Sequence, residues 1–83
     1  MTNLLIGDFI EVGKRKDKVV RIQFKKREAI NGIFVIDDNY QDIKKKNFWR
    51  IVTASNEEEW RRTKSLSCSR LFNGDEFSKL SDL

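Results

Sequence analysis

The sequence contains no histidine and no proline, and it has a single cysteine. Without histidine the chain lacks the commonest general base, the usual metal ligand and every histidine-activated serine or cysteine nucleophile. One thiol, Cys68, cannot close an intramolecular disulfide or a thiolate zinc site, and we expect it to be a small buried side chain in a reducing compartment. These absences favour a non-catalytic binding protein, for which we expect no enzymatic activity, cofactor or metal.

Long hydrophobic runs are also absent, since the longest, such as residues 33–36, cover three to four residues. A membrane span needs about 20 apolar residues. The first residues lack the basic segment of a secretory leader and reach Asp8 early. We therefore expect a soluble cytoplasmic protein without membrane contact. Its 83 residues predict one domain, residues 1–83, with a modest core and a surface site instead of an internal cavity.

Positive charge is concentrated in the middle of the chain, where residues 14–72 carry 16 basic and 8 acidic residues, although the whole chain has a net charge of only +4. Such a concentration of charge attracts polyanions. The alternative is that the charge runs are solvated loops that maintain solubility. The four basic clusters are Lys14, Arg15, Lys16 and Lys18; Lys25, Lys26 and Arg27; Lys44, Lys45 and Lys46; and Arg61, Arg62 and Lys64.

Strand periodicity recurs through the chain. Val20, Ile22 and Phe24 alternate with polar residues, as on a half-buried strand. The dipeptide Asn31-Gly32 predicts a tight turn, because both residues tolerate positive φ. The predicted strands cover residues 18–24, 33–36 and 48–53, and further turns are predicted at residues 37–39 and 73–75.

Three segments allow alternatives. Residues 1–13 fit a strand or a short helix, and we expect a strand. Residues 55–64 fit a helix that begins with a capping box, or the tip of a hairpin that leads into a strand over 63–72. That strand would place Leu66, Cys68 and Phe72 on one face. Residues 77–80 fit a last strand or a helical turn.

The pattern as a whole predicts a mainly β domain. We expect five or six short strands in a small, strongly bent barrel, with at most one or two short helical turns. Closure is expected because an open sheet of this size leaves edges that promote aggregation.

Two groups of residues have the spacing of a known family. Gly32, Phe34 and Asp38 form one group, and Phe72, Gly74 and Phe77 form the other. Over roughly residues 18–80 the chain thus resembles the Sm-like small barrels, a ring-forming RNA-binding family related in shape to SH3-like barrels. The resemblance implies the fold and ring assembly.

The family pattern also has an asparagine and a basic residue that hold uracil and phosphate. These two positions are occupied by Asp42 and Asn73 in this chain. The resemblance therefore gives little support for a uridine pocket.

Basic clusters alternate with aromatic residues, which is typical of proteins that bind single-stranded nucleic acid by phosphate contacts and base stacking. We expect Phe9, Phe24, Phe34 and Phe48 to lie in the core, whereas Tyr40 and Trp60 have polar neighbours and are expected to be exposed. The predicted nucleic-acid-binding residues are Lys25, Lys26, Arg27, Tyr40, Lys44, Lys45, Lys46, Trp60, Arg61 and Arg62.

The alternative function is protein interaction or self-assembly, including a homo-oligomer formed through edge strands. Nucleic-acid binding predicts the basic clusters on one face, whereas assembly predicts scattered clusters and an apolar patch or exposed edge elsewhere.

Three carboxylates lie close together in the sequence. Asp37, Asp38 and Asp42 could hold Mg²⁺ in a nuclease. Capping of backbone amides in a turn explains the first two more simply, and we expect that role.

Overall fold

A computed structural model describes all 83 residues of the chain. The chain contains five strands, three α-helices and three short 3₁₀ turns. In chain order the elements are α1 (Asn3–Glu11), β1 (Val20–Phe24), β2 (Ile30–Phe34), α2 (Tyr40–Lys45), β3 (Phe48–Thr53), α3 (Glu57–Thr63), β4 (Ser69–Asn73) and β5 (Phe77–Asp82). The 3₁₀ turns are Ala54–Asn56, Leu66–Cys68 and Gly74–Glu76.

The five strands form one antiparallel sheet in the order β4-β3-β2-β1-β5. The two edge strands, β4 and β5, are consecutive in the chain and are joined only by the three residues Gly74–Glu76, so the sheet must bend strongly. The expected mainly β class is confirmed, and of the two alternatives for residues 77–80 the structure has the strand, β5. The chain has more helix than expected.

The expected closure into a barrel is wrong, because β4 and β5 do not pair with each other. Aromatic rings occupy the space between them. The Phe24 ring lies 5.9 Å from the Phe72 ring of β4 and 5.4 Å from the Phe77 ring of β5, measured between centroids. Ring packing therefore joins the edges where backbone hydrogen bonds would close a barrel.

The sheet is buried on both faces. On its inner face Val20, Ile22 and Phe24 are buried as the periodicity predicts, in a cluster of 12 buried residues that includes Trp49. On its outer face, Ile33 and four other residues form a smaller cluster. The free thiol of Cys68 belongs to this second cluster, which confirms its expected burial.

Residues 3–11 form the helix α1, so the expected strand is wrong. Ile6 and Ile10, four residues apart, are fully buried in the inner cluster, and Thr2 accepts a hydrogen bond from the Leu5 amide at the first turn. The helical period thus places the isoleucines in the core. An alternating pattern would not do so.

Asn31 and Gly32 lie within β2, so the turn predicted there is wrong. They pair with Arg21 and Val20, and no glycine in the chain has a positive φ. Glycine is needed at position 32 because β3 passes so close: a Cβ atom there would lie 2.8 Å from Ile51 Cγ2. The chain turns instead within residues 25–29.

Residues 57–63 form the helix α3, which excludes the hairpin alternative. Its first turn holds three glutamates and its last turn two arginines, in the order that the helix dipole favours. Leu66, Cys68 and Phe72 do not share a face: Leu66 is exposed, Cys68 is in the outer cluster and Phe72 is in the inner one.

None of the helices is both long and apolar enough to span a bilayer.

Candidate nucleic-acid interface

The chain has one groove, of about 420 Å³, between the turn that follows β1 and the joint that connects β4 to β5. The backbone holds the two sides together, because Phe24 pairs with Phe77 and the Lys25 amide donates a 2.9 Å hydrogen bond to the Glu76 carbonyl. Its lining residues are Phe24, Lys25, Lys26, Arg27, Asp75 and Glu76.

Two guanidinium groups lie against the aromatic pair beside this groove. The Cζ atom of Arg27 is 4.8 Å from the Phe24 ring centroid and 5.9 Å from that of Phe72. The Cζ atom of Arg70 is 5.7 Å from the Phe72 centroid. Arg70 comes here because it is two residues from Phe72 on β4 and so points to the same face. The rings attract both cations, and an exposed guanidinium plane can stack on a nucleobase.

The cations around the groove have no ionic partner. Five basic side chains of the protein form ion pairs, namely Arg15, Lys44, Arg50, Arg61 and Arg62. Lys25, Lys26, Arg27 and Arg70 are not among them, and all four are exposed. No ion pair therefore neutralises their charge, and these side chains are free to contact an anion.

The opposite side of the groove is acidic. The Asp75 carboxylate is fixed, because its Oδ1 atom accepts a 2.9 Å hydrogen bond from Asn47 Nδ2. The Glu76 side chain is exposed and forms neither a hydrogen bond nor an ion pair.

Asn47 fixes the joint that carries these acids. Its side chain also donates to the Met1 carbonyl (2.9 Å) and accepts from Trp49 Nε1 (2.8 Å), while its carbonyl accepts from the Gly74 amide (2.8 Å). It adopts a left-handed backbone with φ of 59°. The joint approaches so closely that a Cβ atom on Gly74 would lie 2.7 Å from Ile6 Cδ1.

Sequence reasoning missed Arg70 and Asn47 as contributors to the site. The alternation of Arg70 with Phe72 is visible in the sequence, but the bend that brings β4 against residues 24–27 is not. Asn47 directly precedes the predicted strand over residues 48–53, which indicates a turn at this position. The sequence does not identify the hydrogen-bond partners of its side chain.

Lys44 of α2 lies against α1, outside the groove lining. Lys44 Nζ is 2.7 Å from Glu11 Oε2, and the Tyr40 hydroxyl donates to the same oxygen at 2.6 Å. The hydrogen bonds from Lys44 and Tyr40 lower the pKa of Glu11. Burial, reinforced by Glu11, raises the pKa of Tyr40. Lys45 and Lys46 are exposed and unpaired.

The arginines of α3 are held by acids of their own helix. Arg61 Nε lies 2.8 Å from Glu57, and Arg62 Nη2 lies 3.4 Å from Glu59. Arg61 also donates to the Asp17 carbonyl, which links α3 to the first basic cluster. Of the four predicted clusters, only Lys25, Lys26 and Arg27 line the groove, so the clusters do not converge on one site. This scattered arrangement is the one that the assembly alternative predicts.

The expected exposure of Tyr40 and Trp60 is wrong, since only 4% and 7% of their surfaces are accessible. Tyr40 packs edge-on against Trp49 in the inner cluster, and Trp60 belongs to the outer cluster with Ile33 and Val52. Each is the residue that anchors its short helix to the sheet, while its polar neighbours face solvent. Phe48 was expected in the core but is 38% exposed.

Of the three carboxylates near residue 40, Asp37 has a structural role. Asp37 accepts a hydrogen bond from the Asn39 amide at 3.1 Å, the turn capping that we expected, and lies 3.6 Å from Arg50 Nε. No group of three or more acidic or cysteine side chains is arranged to hold a metal ion.

Comparison of the chain with protein-family models, curated proteins and solved structures finds no match. The groove and its charges are therefore the features from which function is inferred.

Proposed function

We propose that this protein is a non-catalytic module that binds single-stranded RNA or DNA in the groove beside the turn after β1. The observation that carries the proposal is a group of four cations without ionic partners at this groove. Lys25, Lys26 and Arg27 line it, and Arg27 and Arg70 lie over the Phe24–Phe72 pair beside it. Backbone phosphates supply the anions that these side chains lack.

The division of labour follows from the side-chain chemistry. Lys25 and Lys26 are flexible point charges suited to phosphates. Arg27 is held against Phe24 and presents a planar cation on which a base can stack. A concave slot of about 420 Å³ accommodates an unstacked nucleotide, which is available in a single strand but not within a duplex.

The test compares two double variants with the same charge change. Lys25→Ala/Lys26→Ala removes two unpaired lysines at the groove, and Lys45→Ala/Lys46→Ala removes two unpaired lysines at the C-terminal end of α2. Fluorescence anisotropy with labelled single-stranded RNA and DNA at low salt measures affinity. We expect the groove variant to bind about tenfold more weakly, the loss of one charge-assisted hydrogen bond or more. The control variant should change by less than about twofold.

Two outcomes contradict the proposal. One is absence of wild-type binding at low salt, where electrostatic attraction is strongest. The other is an equal loss in both variants, which would assign binding to overall charge. Circular dichroism of both variants checks that the fold is retained.

We propose further that the bent sheet is a variant of the Sm-like or SH3-like barrel. The strongly bent five-stranded antiparallel sheet supports this, as does the close packing that requires glycine at positions 32 and 74, where the family motifs have theirs. Asp42 and Asn73 leave the uridine pocket of that family outside the proposal.

A second candidate function is self-assembly through β4, and an exposed apolar pair favours it. Leu71 on this edge strand is 53% exposed and pairs with Arg50 of β3. Phe48, two residues before Arg50 and on the same outer face, is 38% exposed. Sedimentation velocity over a range of concentrations tests it. Assembly predicts oligomers that Leu71→Lys dissociates, whereas a monomer at every concentration contradicts it.

A further inference from the structure

Opposite charges line the two sides of the groove without pairing. Lys25, Lys26 and Arg27 are on one side, with Asp75 and Glu76 on the other, and no ion pair joins them. The backbones of the two sides are nevertheless hydrogen-bonded to each other at 2.9 Å. A ligand that carries an anion together with N–H donors satisfies both sides at once.

We propose that the acidic side of the groove reads the nucleobase, preferring guanine and disfavouring uracil and thymine. This inference rests on the proposed function. An ionised carboxylate only accepts hydrogen bonds. Guanine offers it two adjacent donors, N1–H and the N2 amino group. Uracil and thymine offer a single N–H between two carbonyl oxygens, which a carboxylate repels.

The two acids contribute differently. Glu76 has both carboxylate oxygens free, so it can accept both guanine donors. Asp75 has one oxygen occupied by Asn47 and is held in place, so it adds a fixed negative charge beside the base. The cations opposite bind the phosphate of the same nucleotide.

The experiment uses three RNA octamers that share length and backbone charge. These are octauridylate, alternating uridine-guanosine, and alternating uridine-inosine, in which inosine lacks the N2 amino group. For the wild type we expect the guanosine octamer to bind about tenfold more tightly than octauridylate, with the inosine octamer between them. Glu76→Gln should reduce this ratio to about twofold, because its amide can also donate to the uracil carbonyl.

The matched control is Glu58→Gln, which makes the same charge change at an exposed, unpaired position on α3 and should preserve the tenfold ratio. Equal wild-type affinity for octauridylate and the guanosine octamer would overturn base reading. In that case, if Lys25→Ala/Lys26→Ala still weakened the binding of both octamers, the proposed nucleic-acid-binding function would stand without base reading. Absence of binding to every octamer would overturn both proposals. An inosine octamer that bound as tightly as the guanosine octamer would overturn recognition of the amino group.

Discussion

Asn47 connects its own segment to two that are distant in the sequence, the N-terminus and the joint that contains Asp75. Its amide group contacts Met1, Trp49 and Asp75, and its backbone has a left-handed conformation that asparagine adopts more readily than most residues. The acidic side of the groove is thus positioned by a residue outside the groove. Replacing Asn47 should mainly lower the stability of the fold. It should also affect ligand binding, because Asp75 loses the hydrogen bond that holds its carboxylate.

Replacing Asn47 separates these two contributions. Asn47→Ala should lower the free energy of unfolding by about 2–4 kcal/mol, because the buried Trp49 indole N–H loses its acceptor and a Cβ-bearing residue without a polar group must remain left-handed. Asn47→Gly should lower it by about 1 kcal/mol less, since glycine tolerates that backbone. Urea unfolding measures both. Asn39→Ala, at an exposed asparagine whose side chain caps nothing, is the control and should change little. Equal losses for the two Asn47 variants would show that the backbone makes no contribution.

The site residues differ in how far the sequence predicts them. The run of Lys25, Lys26 and Arg27 is evident, because three adjacent cations in a turn can only be exposed. Arg70 was missed because its contribution depends on the bend of the sheet, which is not a local property. Trp60 was misplaced for a related reason. Polar neighbours on a helix point away from the one residue that packs inward, so their polarity gives no information on its burial.

The first helix is attached to α2 by the side chains of Glu11 and Asn3, and Asn3 Nδ2 donates to the Lys44 carbonyl at 3.1 Å. Glu11 accepts hydrogen bonds from Lys44 and Tyr40, and the inner face of the same helix packs Ile6 and Ile10 over the sheet. The sequence left strand and helix open for this segment because it is short and mostly apolar, and such segments fit both periods. The contact with α2 is a tertiary feature that no local pattern reveals.

The shifted pKa of Glu11 predicts how this attachment depends on pH. The pKa of Glu11 in the folded protein is below its ordinary value of 4.5. The ionised carboxylate therefore stabilises the folded protein fully above pH 4.5, and this stabilisation is lost as the pH falls through the lowered pKa. Glu11→Gln should therefore be less stable than wild type at pH 7, and the difference should shrink towards pH 3. The effect should be modest, since the side chain is partly exposed.

Urea unfolding of both proteins at the two pH values measures that difference. Glu28→Gln is the control, because Glu28 is exposed in the turn after β1, forms no hydrogen bond or ion pair, and its replacement should change stability little at either pH. A Glu11→Gln difference that stays constant with pH would show that charge on Glu11 contributes nothing.

At the scale of the whole molecule, the bend of the sheet decides which charges meet. β4 and β5 are opposite edges of the sheet, yet three residues join them, and this brings Arg70 of β4 beside the turn that follows β1. Strands β1 and β3 were predicted closely, because alternation and β-branched residues are local signals. The bend was expected, but the open edges were not, because they depend on how the Phe24, Phe72 and Phe77 rings pack.

The salt dependence of binding distinguishes a local site from attraction by overall charge. If Lys25, Lys26, Arg27 and Arg70 contact about four phosphates of a single strand, the logarithm of the association constant should fall against the logarithm of salt concentration with a slope of about −3. Removing Lys25 and Lys26 should reduce the slope to about −1.4, and removing Lys45 and Lys46 should leave it near −3. Anisotropy titrations at four or five salt concentrations measure each slope. A net charge of +4 acting as a whole predicts the same slope for both variants, since both lose two charges. Equal slopes would therefore reject the groove as the site where phosphates bind.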